Sequence, residues 1–120
     1  MDLIAAVEAM NALGQETRMR AFRLLVEAGD DGLQSGEIAR RLDVPHNTMS
    51  THLAQLTRAG LIRSRRASRS IIYVADFPGI REMLAFLVQD CCQGRPELCG
   101  PLLDAALPVA ACCPAPQRPA

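Results

Sequence analysis

Ser35-Gly36-Glu37-Ile38-Ala39-Arg40-Arg41-Leu42-Asp43-Val44-Pro45-His46-Asn47-Thr48-Met49-Ser50-Thr51-His52-Leu53-Ala54-Gln55-Leu56 holds two helical patterns separated by a tight break. Ser35 is a candidate N-cap for a short helix that turns Ile38, Ala39 and Leu42 inward. Asp43-Val44-Pro45 is a compact connector. A second helix then runs from His46 to Ala59, with Met49, Leu53 and Leu56 inward at helical spacing, and Gly60 ends it. Its other face carries His46, Asn47, Thr48, Ser50, Thr51 and Gln55, short hydrogen-bonding groups without bulk. A short helix, a tight turn and a polar-faced helix form a helix-turn-helix pattern. Such a face suits base edges in the major groove, so these six residues and Ser35 are candidate contacts to double-stranded DNA.

Working outward from that unit, the periodicity changes after Gly60. Leu61 to Arg66 and Ser70 to Val74 are β-like and flank Ala67-Ser68-Arg69, which predicts a β-hairpin with a basic tip. Upstream, Leu3–Leu13 reads as a helix with Leu3, Val7 and Met10 on one stripe. Glu16–Ala28 reads as another, with Met19, Phe22, Leu25 and Val26 apolar and Gly29-Asp30-Asp31-Gly32 ending it. A last helix is expected from about Pro78 to Cys91 or Cys92. From Gly94 on prolines accumulate, and an irregular tail is expected beyond about Leu107. The expected class is mainly α with a β-hairpin wing, a winged helix-turn-helix. Residues 1–93 form the DNA-binding and dimerisation domain, and residues 94–120 a Cys- and Pro-rich tail.

The 120 residues suffice for one domain, and a helical chain this short often gains burial by dimerising. The formal net charge is zero. Its distribution is informative: Arg40, Arg41, Arg58, Arg63, Arg65, Arg66 and Arg69 face one acid, Asp43, so seven minus one leaves an excess of six positive charges over that segment. The hairpin arginines suit phosphate. Met1-Asp2-Leu3 begins no secretory signal, and no run reaches transmembrane length. These features predict a cytoplasmic chain with reduced thiols and no membrane partner. Its five cysteines then point to metal, metalloid or redox chemistry rather than a disulfide framework.

Cys91-Cys92-Gln93-Gly94-Arg95-Pro96-Glu97-Leu98-Cys99 places three thiols within nine residues. At a fraying helix end adjacent cysteines can face one centre, and Gly94 and Pro96 can turn Cys99 back toward them. Three soft thiolates without a fourth ligand suit trivalent arsenic or antimony, whose lone pair occupies the remaining position. Tetrahedral zinc prefers four ligands. Cys112 and Cys113 form a second pair that supplies ligands, passes metalloid to the site or has no role. His52 has two readings, a phosphate contact or a satisfied histidine at the helix edge.

The stretch Glu37-Ile38-Ala39 through Tyr73, with Val44-Pro45-His46-Asn47-Thr48-Met49-Ser50-Thr51-His52-Leu53 and Arg58-Ala59-Gly60-Leu61-Ile62, resembles the ArsR/SmtB family of winged-helix repressors. The resemblance spans roughly residues 3 to 100. It implies a homodimer built on the first and last helices, binding to a palindromic operator, and release when a metal or metalloid binds. It implies DNA contacts at His46, Asn47, Ser50 and Thr51, with Arg66 and Arg69 at wing positions. Many arsenic-responsive members carry a Cys-Val-Cys pattern before the turn, where this chain has Leu33-Gln34-Ser35-Gly36-Glu37. The chain is instead similar to the subgroup whose arsenic(III) site is a Cys-Cys pair plus a later Cys.

The expected function is therefore a metalloid-responsive repressor with Cys91, Cys92 and Cys99 as ligands and no organic cofactor. Thiol redox sensing, or response to methylarsenite, cadmium or lead, are the alternatives. An enzyme is not expected: there is no Cys-x-x-Cys, glycine-rich phosphate loop or paired acid/base constellation.

Overall fold

The computed structural model describes residues 1–88 and 100–101. The chain divides into two compact units, Met1–Phe86 and Leu87–Ala120. Helices α1 (Leu3–Leu13) and α2 (Glu16–Ala28) come first, then a single 3-10 turn over Gly29–Asp31 and strand β1 (Leu33–Gln34). Helices α3 (Ser35–Leu42) and α4 (His46–Arg58) follow, then strands β2 (Ile62–Ala67) and β3 (Ser70–Ala75) and helix α5 (Phe77–Val88).

The N-termini of α1, α2 and α5 are capped by side chains. Asp2 accepts from the Ala5 N–H at 2.8 Å, and Gln15 accepts from the Arg18 N–H at 2.8 Å. Asp76 accepts from the Gly79 N–H at 3.0 Å at the start of α5. Each cap satisfies a donor that the helix itself leaves unpaired. The expected cap at Ser35 is not formed. Helix α3 already includes Ser35, Gln34 precedes it without a side-chain cap, and the Ser35 hydroxyl is engaged by His46 instead.

The two ends of the helix-turn-helix close alike. Asp43 takes the left-handed conformation (φ 58°), its N–H meets the Arg40 carbonyl at 3.2 Å, and the Val44 N–H meets that of Ala39 at 3.0 Å. Gly60 (φ 82°) repeats the arrangement, with Gly60 N–H to Thr57 at 3.0 Å and Leu61 N–H to Leu56 at 3.1 Å. Both are Schellman closures, one on the glycine that favours them and one on an aspartate that tolerates them. The first sets the turn between α3 and α4, and Pro45 then fixes the entry into α4.

One hydrophobic core joins these elements. Leu25, Ile38, Met49, Leu53, Leu56, Leu61 and Ile62 are its largest fully buried side chains. They come from α2, α3, α4 and the start of the hairpin, so the core sits directly behind α4. Met83 adds the α5 side chain to the same cluster. Gly79 abuts the Gly60 carbonyl so closely that a Cβ there would collide with it.

The three strands are antiparallel in the order β1-β3-β2, with Leu33 opposite Tyr73 and Ser64 also opposite Tyr73. The hairpin forms as expected but is one residue tighter. Ala67 pairs with Ser70, leaving a two-residue turn with Ser68 at φ 62°. Strand β1 was not anticipated, because two residues are too short to carry a period. Helix α5 is described to Val88, so the expected continuation to Cys91 or Cys92, and the tail, lie outside the described residues.

Helix α1 departs from its apparent amphipathic pattern. Its buried residues are Ala6, Ala9, Ala12 and Leu13, while Leu3, Ile4, Val7 and Met10 are exposed, Ile4 to 70%. The stripe that marks the helix in the sequence is therefore not the one that enters the core. Phe77, Leu84 and Leu87 of α5 are also exposed.

Candidate nucleic-acid interface

Met49, Leu53 and Leu56 anchor α4, and their burial dictates what faces outward. His46, Asn47, Thr48, Ser50 and Thr51 are all exposed on the first two turns, as the sequence predicts. Gln55, a turn further on, is half-buried and borders a shallow cleft shared with Glu8, Asn11, Arg18 and Arg58. The Thr51 hydroxyl bonds back to the Asn47 carbonyl at 3.4 Å within the helix. Asn47, Thr48 and Ser50 thus offer amide and hydroxyl groups next to a helix N-terminus, whose N–H groups and dipole favour a phosphate.

Ser35 joins this surface through His46. Its Oγ lies 3.0 Å from His46 Nε2, a contact that bridges the first residues of α3 and α4 across the turn. A shared hydroxyl–imidazole contact orients the ring and leaves Nδ1 as its other polar atom. Ser35 therefore belongs to the candidate interface by placing His46, a role that the spacing of the two residues does not announce.

The hairpin supplies the second basic element, but its arginines are not equivalent. Arg63, Arg65, Arg66 and Arg69 are exposed. Arg65 reaches the 3-10 turn, donating through Nη1 to the Asp30 carbonyl at 3.0 Å and through Nη2 to that of Asp31 at 3.5 Å. It holds the wing against the loop that precedes α3. Among the described residues no such tether is seen for Arg66 or Arg69, the two expected phosphate contacts. In α3, Arg40 and Arg41 both pair with Glu37, Arg41 Nε lying 2.7 Å from its carboxylate. The seven-arginine segment therefore presents less free positive charge than its count suggests, and that charge is concentrated on the wing.

His52 is half-buried at the edge of this face and meets α2. Its Nδ1 lies 3.4 Å from Arg18 Nη1 of α2, in a partly buried setting. Burial, and then the neighbouring Arg18 charge, hold its imidazole below the usual histidine value of 6.5. Of its two sequence readings, the structure places it as a satisfied histidine at the helix edge.

The proposed thiol ligands Cys91, Cys92 and Cys99, and the pair Cys112 and Cys113, lie outside the described residues. Among the described residues, no group of three or more His, Cys, Asp or Glu side chains is placed to hold a metal ion. No described helix is long and apolar enough to cross a membrane.

The family described as "Helix-turn-helix domain" matches residues 13–65, the span from the end of α1 through most of β2. The transcriptional activator HlyU of Vibrio cholerae serotype O1 is 30% identical over 90 residues, covering 75% of this chain and 81% of that protein. A putative arsenical resistance operon repressor, ArsR, of Halobacterium salinarum is 41% identical over 64 residues, covering 53% of this chain and 49% of the repressor. Among solved structures, an ArsR-like transcriptional regulator from Rhodococcus sp. RHA1 shares the fold with a TM-score of 0.67 at 22% identity, over 86% of this chain and 92% of that one.

Proposed function

Because the chain belongs to the ArsR/SmtB family of winged-helix DNA-binding transcriptional regulators, we propose that it is a dimeric repressor that leaves its operator when trivalent arsenic binds Cys91, Cys92 and Cys99. The DNA-facing half of this reading rests on the exposed polar face of α4 beside the Arg66–Arg69 wing tip. His46, Asn47, Thr48, Ser50, Thr51 and Gln55 meet the major groove with Ser35 behind them, and Arg66 and Arg69 meet phosphate. In a symmetric dimer two such helices reach successive major grooves about one helical turn apart.

The observation that carries the metalloid half is the donor set. All five cysteines fall between positions 91 and 113, and three of them lie within nine residues beyond α5. Three thiolates suit arsenic(III) or antimony(III), and the described residues offer no competing cluster of His and carboxylates. No organic cofactor is needed, and the reading puts the protein in the cytoplasm, where thiols stay reduced and free to bind the metalloid. We assign residues 1–93 to DNA binding and dimerisation and residues 94–120 to completing the metalloid site. For release, the metalloid must bind the DNA-free state more tightly, by ~1–3 kcal/mol of coupling.

The test is a titration of a labelled duplex, selected by the protein from a random-sequence pool, under reducing conditions. Arsenite, antimonite, methylarsenite, zinc and cadmium are compared in parallel. Arsenite releases the wild-type protein, and Cys91→Ser and Cys99→Ser require at least roughly fivefold more, the low end of such coupling. Unchanged arsenite response in both variants would overturn the assignment. Methylarsenite needs two thiols, so a response retained only to it in Cys99→Ser points to that ligand. The Vibrio relative carries the name of an activator. Release by peroxide without metalloid would favour a redox-sensing regulator of the same fold.

A further inference from the structure

Arg18 sits where three helices meet. Its Nε donates to the Ala12 carbonyl at 2.6 Å and its Nη2 to the Asn11 carbonyl at 3.4 Å, both at the C-terminal end of α1. Its Nη1 lies 3.4 Å from His52 Nδ1 in the middle of α4. One guanidinium thus joins the last carbonyls of the helix with the exposed apolar stripe to the helix that faces DNA.

The chemistry of the pair fixes its protonation. A guanidinium can only donate, so His52 Nδ1 must be the acceptor, which makes the ring neutral with its proton on Nε2. Protonation of Nδ1 from solvent would set N–H against N–H and cation against cation. We propose that Arg18 and His52 are positioning residues for DNA recognition, holding α4 against the end of α1 while His52 is neutral and loosening that seat when His52 takes up a proton. The proposal rests on the reading of α4 as the recognition helix.

The charged groups bordering the adjoining cleft are Glu8 of α1, Arg18 of α2 and Arg58 of α4. Arg18 is the one at hydrogen-bonding distance. Desolvation and the Arg18 charge act in the same direction, keeping the ring neutral. The sign follows. A histidine whose folded value lies below its unfolded one contributes stability that is complete above about pH 6.5 and is lost as the pH falls through the lower folded value.

The chain has two histidines, and the other, His46, lies on the DNA face. The experiment therefore compares full-length wild-type and His52→Gln protein on one duplex selected by the wild-type chain, so that His46 is common to both. Affinity is read by fluorescence anisotropy from about pH 8 to about pH 5.5, with circular dichroism following the fold. As the pH falls across that range, Kd rises at least roughly threefold more in the wild type than in His52→Gln, whose carboxamide oxygen still accepts from Arg18 but does not titrate. In NMR titrations the His52 ring of the wild type titrates below 6.5 and moves upward in Arg18→Gln. Equal pH profiles for wild type and His52→Gln would overturn the proposal. Failure of wild-type protein to select any duplex would instead overturn the recognition reading beneath it.

Discussion

Helices α1 and α4 are built on the same plan and present opposite chemistry. Each buries a narrow row of residues, Ala6, Ala9, Ala12 and Leu13 in α1 and Met49, Leu53 and Leu56 in α4. What they leave outside differs: Leu3, Ile4, Val7 and Met10 on α1, and His46, Asn47, Thr48, Ser50 and Thr51 on α4. Small residues inside α1 draw it close to the core while its large ones wait for another apolar surface. Large residues inside α4 anchor it firmly while its small polar ones stay free to meet an irregular, hydrogen-bonding surface. The inner row fixes how a helix is held, and the outer row fixes the class of partner. A protein partner fits the first face and a nucleic acid the second.

The sharpest break in this contrast is Ile4→Glu. A charge in the centre of the exposed α1 stripe is expected to abolish self-association, with a loss of about 2–4 kcal/mol of the kind seen at buried interface anchors. Sedimentation velocity reads it, and a variant that sediments like wild type would remove α1 from the interface. DNA affinity falls with it, because two half-sites are no longer read by one particle.

On α4, Asn47→Ala is expected to cost ~1–3 kcal/mol of discrimination between the selected duplex and one altered base pair. Competition binding with single-substitution duplexes measures it. Loss of affinity equal for all sequences would move Asn47 from base to phosphate contact.

The smallest effects separate the wing arginines. Arg66→Gln and Arg69→Gln should weaken binding evenly across sequences and lower the salt slope by about 1 each. Arg65→Gln should leave the slope unchanged and lower the melting temperature, because its donors serve the Asp30 and Asp31 carbonyls. Equal slopes for all three would erase that distinction.

Much of this was legible in the sequence because it rests on local rules. Met49, Leu53 and Leu56 at helical spacing, Gly60 at a helix end and alternating residues about a basic tip each dictate an element without help from distant chain. The face of α4 follows once its buried row is known. Features that depend on remote partners were not legible. The Ser35 hydroxyl favours His46 over the cap of its own helix, and nothing in the spacing ranks those two options. Strand β1 exists because β3 pairs with it. Arg65 looks like its neighbours until the 3-10 turn supplies carbonyls. His52 remained ambiguous until Arg18, far away in sequence, came within reach. The α1 stripe marks a helix, but only the packing of its alanines shows that it faces away from the core.

The position of β2 has a consequence apart from recognition. Among the described residues the sheet order leaves two open edges, β1 and β2. An exposed edge offers unpaired N–H and C=O groups to any passing strand and is a starting point for aggregation. Strand β1 limits the hazard by being two residues long. Strand β2 is six residues long and carries Arg63, Arg65 and Arg66, so two such edges approaching each other would bring cation against cation. These three arginines thereby keep one wing from zipping onto another. Replacing them with neutral β-formers would leave a self-adhesive edge.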